Sequence, residues 1–501
     1  MISEKFLLFA QTHRIPEIFE DAQPEFEYTR CGIHDSRDEP MPSNEDTIAA
    51  IATPIGPAGI GIIRISGRLS SGIAKDIFTP KKPVRCLDSH RLYLGDLFDP
   101  ASGEVVDEVL LSFMKAPHSF TREDIVEINS HSGYLLLYRI LQIIISQGAR
   151  LAEPGEFTLR AFLNGRIDLT RAEAVIDLIN AKSDRGLRMA SQQVHGLLWN
   201  EIDALRQIAL EILAHGEVAI DFPEEEADIM TRDEVGDRIE ARLVGPIEIL
   251  IEAHAGRKIW IDGINTAIVG RVNAGKSSLL NRLLNEDRAI VTAIPGTTRD
   301  VIESTATIEG LPLRLMDTAG FREVKDEVER IGIQFTEKKL SEADFLLVVV
   351  DQSRPLNQDD RDILAQSRKK NALIVMNKID LPSAFGKQFE DRALSGLPSV
   401  KISALTGEGL PELKKGIAAC LLNGELDMTT SHSAPNLRHR GALESAAGFF
   451  RNAARNVREN APMEVVAVDL KSGIDALGEI VGETASEAVL ENIFSQFCLG
   501  K

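Results

Sequence analysis

A chain of 501 residues exceeds what a single core organises, so about three domains are expected. Its net charge of −20 argues against a surface built mainly to coat nucleic acid, and any RNA contact has to be local or shared. Cys31, Cys86, Cys420 and Cys498 lie far apart with no C-x-x-C pair, which argues against a disulfide framework or a zinc site and fits a reducing cytoplasm.

Residues 1 to about 44 are charged and lack periodicity, as in Glu20-Asp21-Ala22-Gln23-Pro24-Glu25-Phe26-Glu27. They read as a poorly ordered extension, with Met41 as a second candidate start. Phe6 to Ala10 is too short for a signal-peptide core. From 45 to 164, short β-branched runs between Gly/Pro turns predict strands at Ile60 to Ile65, Arg91 to Leu97, Val109 to Phe113 and Ile125 to Ile128, hence a compact α+β domain. From 165 to 262 helical spacing dominates, through Ala172, Val175, Ile176 and Ile179, then Ile208, Leu210, Ile212 and Leu213. Here Asp221 is expected to cap a helix, with Pro223 in its first turn and Glu224, Glu225 and Glu226 at its positive end. From 263 to 422, strands and helices alternate in a parallel-sheet rhythm, and 423 to 501 is helical again. The pattern predicts an α/β nucleotide domain inserted into a helical one. The longest apolar runs, such as Phe345 to Val350, have strand length and fall short of a membrane span.

The inserted stretch carries four motifs in order. Gly270-Arg271-Val272-Asn273-Ala274-Gly275-Lys276-Ser277 matches G-x-x-x-x-G-K-[ST] between a strand-like run, Thr266 to Val269, and a helix-like run that Ser278 opens. Its backbone N–H groups suit phosphates, Lys276 the terminal phosphates, and the Ser277 hydroxyl Mg²⁺. Asp317-Thr318-Ala319-Gly320 follows the apolar run Leu313 to Met316: Asp317 is placed to hold the metal through water, and Gly320 leaves room for the terminal phosphate. In Asn377-Lys378-Ile379-Asp380, the Asp380 carboxylate accepts two N–H bonds from guanine that adenine cannot offer. Ser403-Ala404-Leu405 adds backbone contacts to the base. Ras-like P-loop chemistry on GTP follows. Phe321, however, stands where well-known GTPases carry a water-orienting Gln, and it cannot hydrogen-bond water. No arginine is assignable by spacing to the β/γ bridge. Asn273 and Thr292-Ala293-Ile294-Pro295-Gly296-Thr297-Thr298 supply hard oxygens suited to a monovalent cation instead.

Beyond these motifs, Asp46-Thr47-Ile48-Ala49-Ala50-Ile51-Ala52-Thr53-Pro54, Gly59 to Gly67, Pro154-Gly155-Glu156-Phe157-Thr158-Leu159-Arg160-Ala161-Phe162-Leu163-Asn164-Gly165, Ile220-Asp221-Phe222-Pro223 and the terminal Phe497-Cys498-Leu499-Gly500-Lys501 resemble the MnmE (TrmE) family of tRNA-modification GTPases. The resemblance runs from about Asp46 to Lys501. It implies an N-terminal folate-binding and dimerising domain and a helical domain holding the GTPase domain. It also implies joint work with the flavoprotein MnmG, in a heterotetramer, to place an aminomethyl-type group on C5 of the wobble uridine of certain tRNAs. By the same resemblance a 5-formyl- or methylene-tetrahydrofolate is held by Arg64, Glu127, Lys501 and Arg166, where relatives often carry Lys. K⁺ is held by Asn273, Thr292, Ile294 and Thr297, Mg²⁺ by Ser277 and Thr298, and Glu329 orients the attacking water. Cys498 is tied to the modification step.

On residue chemistry alone several of these positions read blandly. Arg64 is an exposed strand cation, Glu127 a strand acid beside Ile128, and Cys498 a tail thiol. Arg451, Arg455 and Arg458, at helical spacing, form a solvated stripe, with tRNA phosphate contact as the alternative. The competing class is a GTP-switched ribosome-assembly factor, which shares the nucleotide motifs and is expected to carry a basic RNA-binding appendage.

Overall fold

The computed structural model describes residues 46–221, 231–286, 304–316, 343–385, 396–422 and 433–501. The first sheet holds β1 Ile48–Ile51, β2 Gly61–Ser66, β3 Phe78–Pro80, β4 Arg91–Phe98, β5 Val105–Met114, β6 Ile125–Ser130 and β7 Arg150–Leu151. Their order is β3-β4-β5-β6-β2-β1-β7, antiparallel except between β1 and β7. Helices α1 Ser70–Ile77 and α2 Tyr134–Ser146 cover one face, burying Ile73, Ile77, Leu137 and Ile140 against Ile63, Ile65, Leu111 and Ile128. Because strand side chains alternate, Arg64 lies on the opposite face from Ile63 and Ile65. There a smaller apolar cluster of Ile48, Ala50, Ala152 and Phe157 forms, with Phe120 against it. Each predicted strand run falls on a strand. β5 starts earlier than its apolar run because Glu108 pairs in register with Asp96 and Lys81 bridges the two acids.

Helices α3 Glu156–Leu163, α4 Leu169–Asn180, α5 Asp184–Val194, α6 Leu197–Asp221, α7 Arg232–Ile239 and α8 Gly245–Arg257 follow. Short π-helical turns occupy Glu240–Val244 and Lys258–Asp262. Two sequence expectations change here. Ile179 is half exposed at 50%, because α4 turns Leu169, Ala172, Glu173 and Ala174 inward and seats a carboxylate at its centre. Asp221 lies within helix α6, whereas an N-cap needs non-helical backbone. Pro223 to Glu226 lie outside the described residues.

The second sheet holds β8 Ile264–Val269, β9 Ser304–Ile308, β10 Leu311–Met316, β11 Phe345–Asp351, β12 Ala372–Asn377 and β13 Ser399–Lys401, in the order β13-β12-β11-β8-β10-β9. All neighbours are parallel except β9 and β10. Covered on both faces, β11 and β12 are apolar throughout their central residues. Helices α9 Lys276–Glu286 and α11 Leu410–Leu422 bury Leu279, Leu283, Leu413 and Ile417 on one face, and α10 Gln358–Ser367 buries Leu364 on the other.

Helices α12 Leu437–Arg458, α13 Met463–Val481 and α14 Glu487–Phe494 complete the chain. Leu443, Phe450, Leu470 and Leu477 share one core with Leu198, Ile202, Leu243 and Ile247. One helical core thus draws on segments before and after the second sheet, and that sheet is an insertion. No described helix is long and apolar enough to cross a membrane.

Candidate functional site

Parallel strands β8, β11 and β12 bring the segments after Val269, Asp351 and Asn377 to one edge of the sheet, where open α/β sheets hold ligands. The first segment is the phosphate loop. Gly275 has φ 100°, and a Cβ there would lie 2.1 Å from Asn377 Nδ2, so only glycine lets the loop close on β12. Asn273, also at positive φ, is exposed. Lys276 donates Nζ to the carbonyls of Gly270 at 2.8 Å and Arg271 at 2.9 Å, and burial pushes its pKa below the usual lysine range. Ser277 and Ser278 stand exposed on the first turn of α9.

Asn377 clips the pocket together. Its Nδ2 donates to Ala274 O at 2.9 Å and its Oδ1 accepts from Ala404 N at 2.9 Å, tying the phosphate loop to the Ser403-Ala404-Leu405 turn. Lys378 reaches back to Asn273 O at 2.9 Å and Asp351 Oδ2 at 2.7 Å. Burial opposes charge on Asp351, yet the bonds from Lys378 and Ser353 hold its carboxyl below the usual range. Ser403 donates Oγ to Asp380 Oδ1 at 2.6 Å, which orients that exposed carboxylate. Arg282 supports the turn from α9, donating to Leu405 O at 2.6 Å.

The structure therefore gathers Asn273 to Ser278, Asn377, Lys378, Asp380 and Ser403 to Leu405. Thr292 to Thr298, Asp317 to Phe321 and Glu329 lie outside the described residues. β10 ends at Met316, next to β8 and one residue before Asp317. Asp351 and Arg282 went unread in the sequence. The only signal for Asp351 is a carboxylate closing the apolar run Phe345 to Val350.

A second cluster lies on the first sheet. Arg64 and Glu127 are cross-strand partners, and Arg64 Nε donates to Glu127 Oε1 at 2.8 Å. Arg64 also donates to Gly500 O at 3.1 Å and stands over the Phe157 ring at 5.6 Å. The tail is seated through Phe497, stacked on Phe494 at 5.6 Å, and Phe494 meets Phe162 at 6.3 Å. Gly500 has φ 85°, and a Cβ there would lie 2.7 Å from Ile51 O. Cys498 is exposed, and its carbonyl accepts from Lys501 N at 3.3 Å. Arg166 lies over the Phe120 ring at 5.0 Å, on the cluster that holds Phe157.

A buried network underneath was not foreseen. Arg160, 2% exposed, bonds Asp46, Glu123 and Glu156, while Arg150 bonds Asp46 and Glu156. Burial opposes charge on Glu156, but Arg150 and Arg160 hold its carboxyl below the usual range. This fixes α3, and with it Phe157 beneath Arg64. The i,i+4 spacing of Glu156 and Arg160 was its signal.

Comparison with known proteins matches the MnmE helical domain to residues 169–498 and the GTP-binding protein TrmE N-terminus to residues 47–166. The tRNA modification GTPase MnmE of Geobacillus kaustophilus is 46% identical over 459 residues, covering 91% of this chain and 99% of its own. That of Acetivibrio thermocellus is 43% identical over 457 residues, at 91% and 99% coverage. Among solved structures, the G domain of the T. maritima FeoB iron transporter is 27% identical over 31% of this chain and 98% of its own, at a TM-score of 0.24. With two family models meeting near Arg166 and relatives aligned almost end to end, the chain belongs to the MnmE (TrmE) family of tRNA modification GTPases.

Proposed function

We propose that this chain is a K⁺-dependent GTPase that acts as a homodimer with the flavoprotein MnmG. Together they install an aminomethyl-type group, such as carboxymethylaminomethyl, at C5 of wobble uridine 34 of certain tRNAs, using a one-carbon tetrahydrofolate. Hydrolysis of GTP in tRNA modification is the activity of its family. The observation that carries the reading is the Asn377 clip, which holds a phosphate loop and a base-reading Asp380 in one pocket. Family membership over most of the chain favours it over a ribosome-assembly factor.

In this reading Asp380 accepts N–H bonds from guanine, and Lys276 exchanges the carbonyls of Gly270 and Arg271 for stronger, charged phosphate acceptors. Ser277, with Thr298, offers hydroxyls for Mg²⁺, which supplies charge on the phosphates. Asn273, exposed on the loop, is a fitting oxygen donor for K⁺ beside Thr292, Ile294 and Thr297, and that ion supplies the positive charge an arginine finger supplies elsewhere. Glu329 orients water in place of the Gln that Phe321 replaces. On the first sheet Arg64, Arg166 and Lys501 offer donors to carboxylates and carbonyls, and Glu127 accepts from ring N–H groups, a set that fits a folate carrying a one-carbon unit. Cys498, exposed on the tail whose Gly500 carbonyl meets Arg64, serves the modification step.

GTP turnover compared in KCl and NaCl at equal ionic strength tests the cation, with general screening cancelled. Turnover is expected to fall in NaCl on the scale of a lost arginine finger, ~10³-fold. Equal rates refute the K⁺ reading and leave the GTPase standing. Wobble-uridine analysis of tRNA from a deletion strain tests the rest: fully modified tRNA there refutes it.

A further inference from the structure

One helix runs from beside Arg166 towards β9, an edge strand of the nucleotide sheet. α4 begins after its cap Asp168, two residues beyond Arg166. Its twelve residues rise about 18 Å. At the far end Lys182 donates Nζ to Thr305 Oγ1 at 3.1 Å, and Thr307 Oγ1 donates to the Lys182 carbonyl at 3.0 Å. Both threonines belong to β9, which follows Thr297 and Thr298 in sequence and pairs with β10, the strand that leads to Asp317.

Between its ends α4 is held rigidly. Glu173 accepts from His439 Nε2 at 2.6 Å, from Arg438 at 2.7 and 3.1 Å, and from Asn436 at 2.8 Å. Asp177 accepts two bonds from Arg257, at 2.6 and 2.7 Å. Just past the helix, Ser183 donates to Trp260 O at 3.1 Å. These partners mark the two crossings by which the second sheet is inserted: Arg257 and Trp260 precede β8, and Asn436 to His439 open α12. Carboxylates of α4 thus grip both strands of chain that leave and re-enter the helical core. The body of the helix is fixed by buried ionic bonds. Its link to β9, by contrast, includes two single hydroxyl bonds, which a small movement of β9 breaks and remakes.

We propose that α4 is the strut linking the position of the nucleotide sheet to the pocket at Arg64 and Arg166, with Lys182 as its positioning residue. The inference rests on the folate reading given above. A nucleotide that shifts β9 then changes folate affinity, and by linkage folate changes nucleotide affinity by the same factor. Lys182 touches neither ligand and leaves hydrolysis itself alone.

The test uses the full chain and 5-formyltetrahydrofolate, with affinity measured calorimetrically in GDP and in a non-hydrolysable GTP analogue. GTP turnover and wobble-uridine modification are measured alongside. Wild type is expected to show two different folate affinities. Lys182→Ala should make them equal and lower modification by roughly 2- to 30-fold, the range of residues that carry coupling, with turnover held within about twofold. Thr307→Val should reproduce the loss and Lys182→Arg should restore coupling. Equal affinities in wild type, or a difference that survives Lys182→Ala, overturn the strut. Absence of folate binding with either nucleotide overturns the folate reading instead. The ratio of modification to turnover in Lys182→Ala then decides alone, and an unchanged ratio overturns the strut.

Discussion

The candidate nucleotide site and the candidate cluster at Arg64 are closed by opposite means. In the first, Lys276 bonds carbonyls five and six residues away, and Asn377 binds main-chain groups of two neighbouring loops. In the second, the closing bond runs from Arg64 to Gly500, 436 residues on. Loops at strand ends make a site that stands whenever its sheet folds. A site closed by a segment so distant in sequence stands only when that segment is docked. Substitutions should therefore separate the two activities, and ones that fail to do so break the comparison.

The largest effect is expected at Asp380. Asp380→Asn turns an acceptor toward guanine N1–H and N2–H into a donor, so GTP affinity should fall ~10²-fold or more, while a base with a carbonyl at C2 gains. Affinity for the proposed folate should stay at wild type. Titration of both ligands checks this, and a matching fall in folate binding would show the pockets are not independent.

Next comes the tail. Gly500→Val cannot keep φ 85° with a Cβ 2.7 Å from the Ile51 carbonyl, so the tail lifts and Arg64 loses a charge-assisted bond. Losing such a bond is worth roughly tenfold in folate affinity and in modification, with GTP turnover unchanged. A parallel drop in turnover would mean the tail supports the fold as a whole.

This difference also explains what was legible in the sequence. The phosphate loop and the Asn377 motif each follow an apolar strand, so spacing alone placed Asn273 to Ser278 and Asn377 to Asp380 in one pocket. Arg64 and Glu127 carry no such mark. Alternation says that a strand has two faces, not that a tail hundreds of residues away will cover one of them. Only the resemblance singled them out. Glu173 was missed for a related reason: apolar periodicity treats a glutamate as solvent-facing, and here it is the buried hub of α4. Ile179 was overcounted by the same rule.

That hub yields a smaller, pH-dependent prediction. His439 Nδ1 accepts from Asn436 N at 3.2 Å, so Nε2 carries the proton toward Glu173 and the ring is neutral. Burial, with Arg438 and Arg257 nearby, pushes its pKa below the ordinary 6.5 despite Glu173. A depressed folded value means stability present above 6.5 and lost as pH falls from there through the folded pKa. Melting temperature should therefore fall between pH 7 and 5.5, by at most about 1.4 kcal/mol of stability per pH unit. His439→Gln should flatten that slope. Identical slopes would place the titration elsewhere.

The smallest effect is expected from a surface that belongs to neither pocket. Arg451, Arg455 and Arg458 do share a face of α12, as their spacing predicts, and such a face could grip tRNA phosphates. Yet Arg451 donates to Glu248 at 2.5 Å, Arg458 to Asp237 at 3.0 Å with Glu240 at 3.5 Å, and Arg455 to Asn452 at 2.9 Å. The stripe faces acids of α7, α8 and the turn between them, so its positive field is largely cancelled before any phosphate approaches. Exposed pairs of this kind contribute little to stability. Arg451→Gln should accordingly leave tRNA affinity within about twofold and its dependence on salt unchanged, because no phosphate contact is lost. A salt slope lower by about one unit would mean that Arg451 leaves Glu248 for the tRNA, and α12 would then have to be counted as a third working surface.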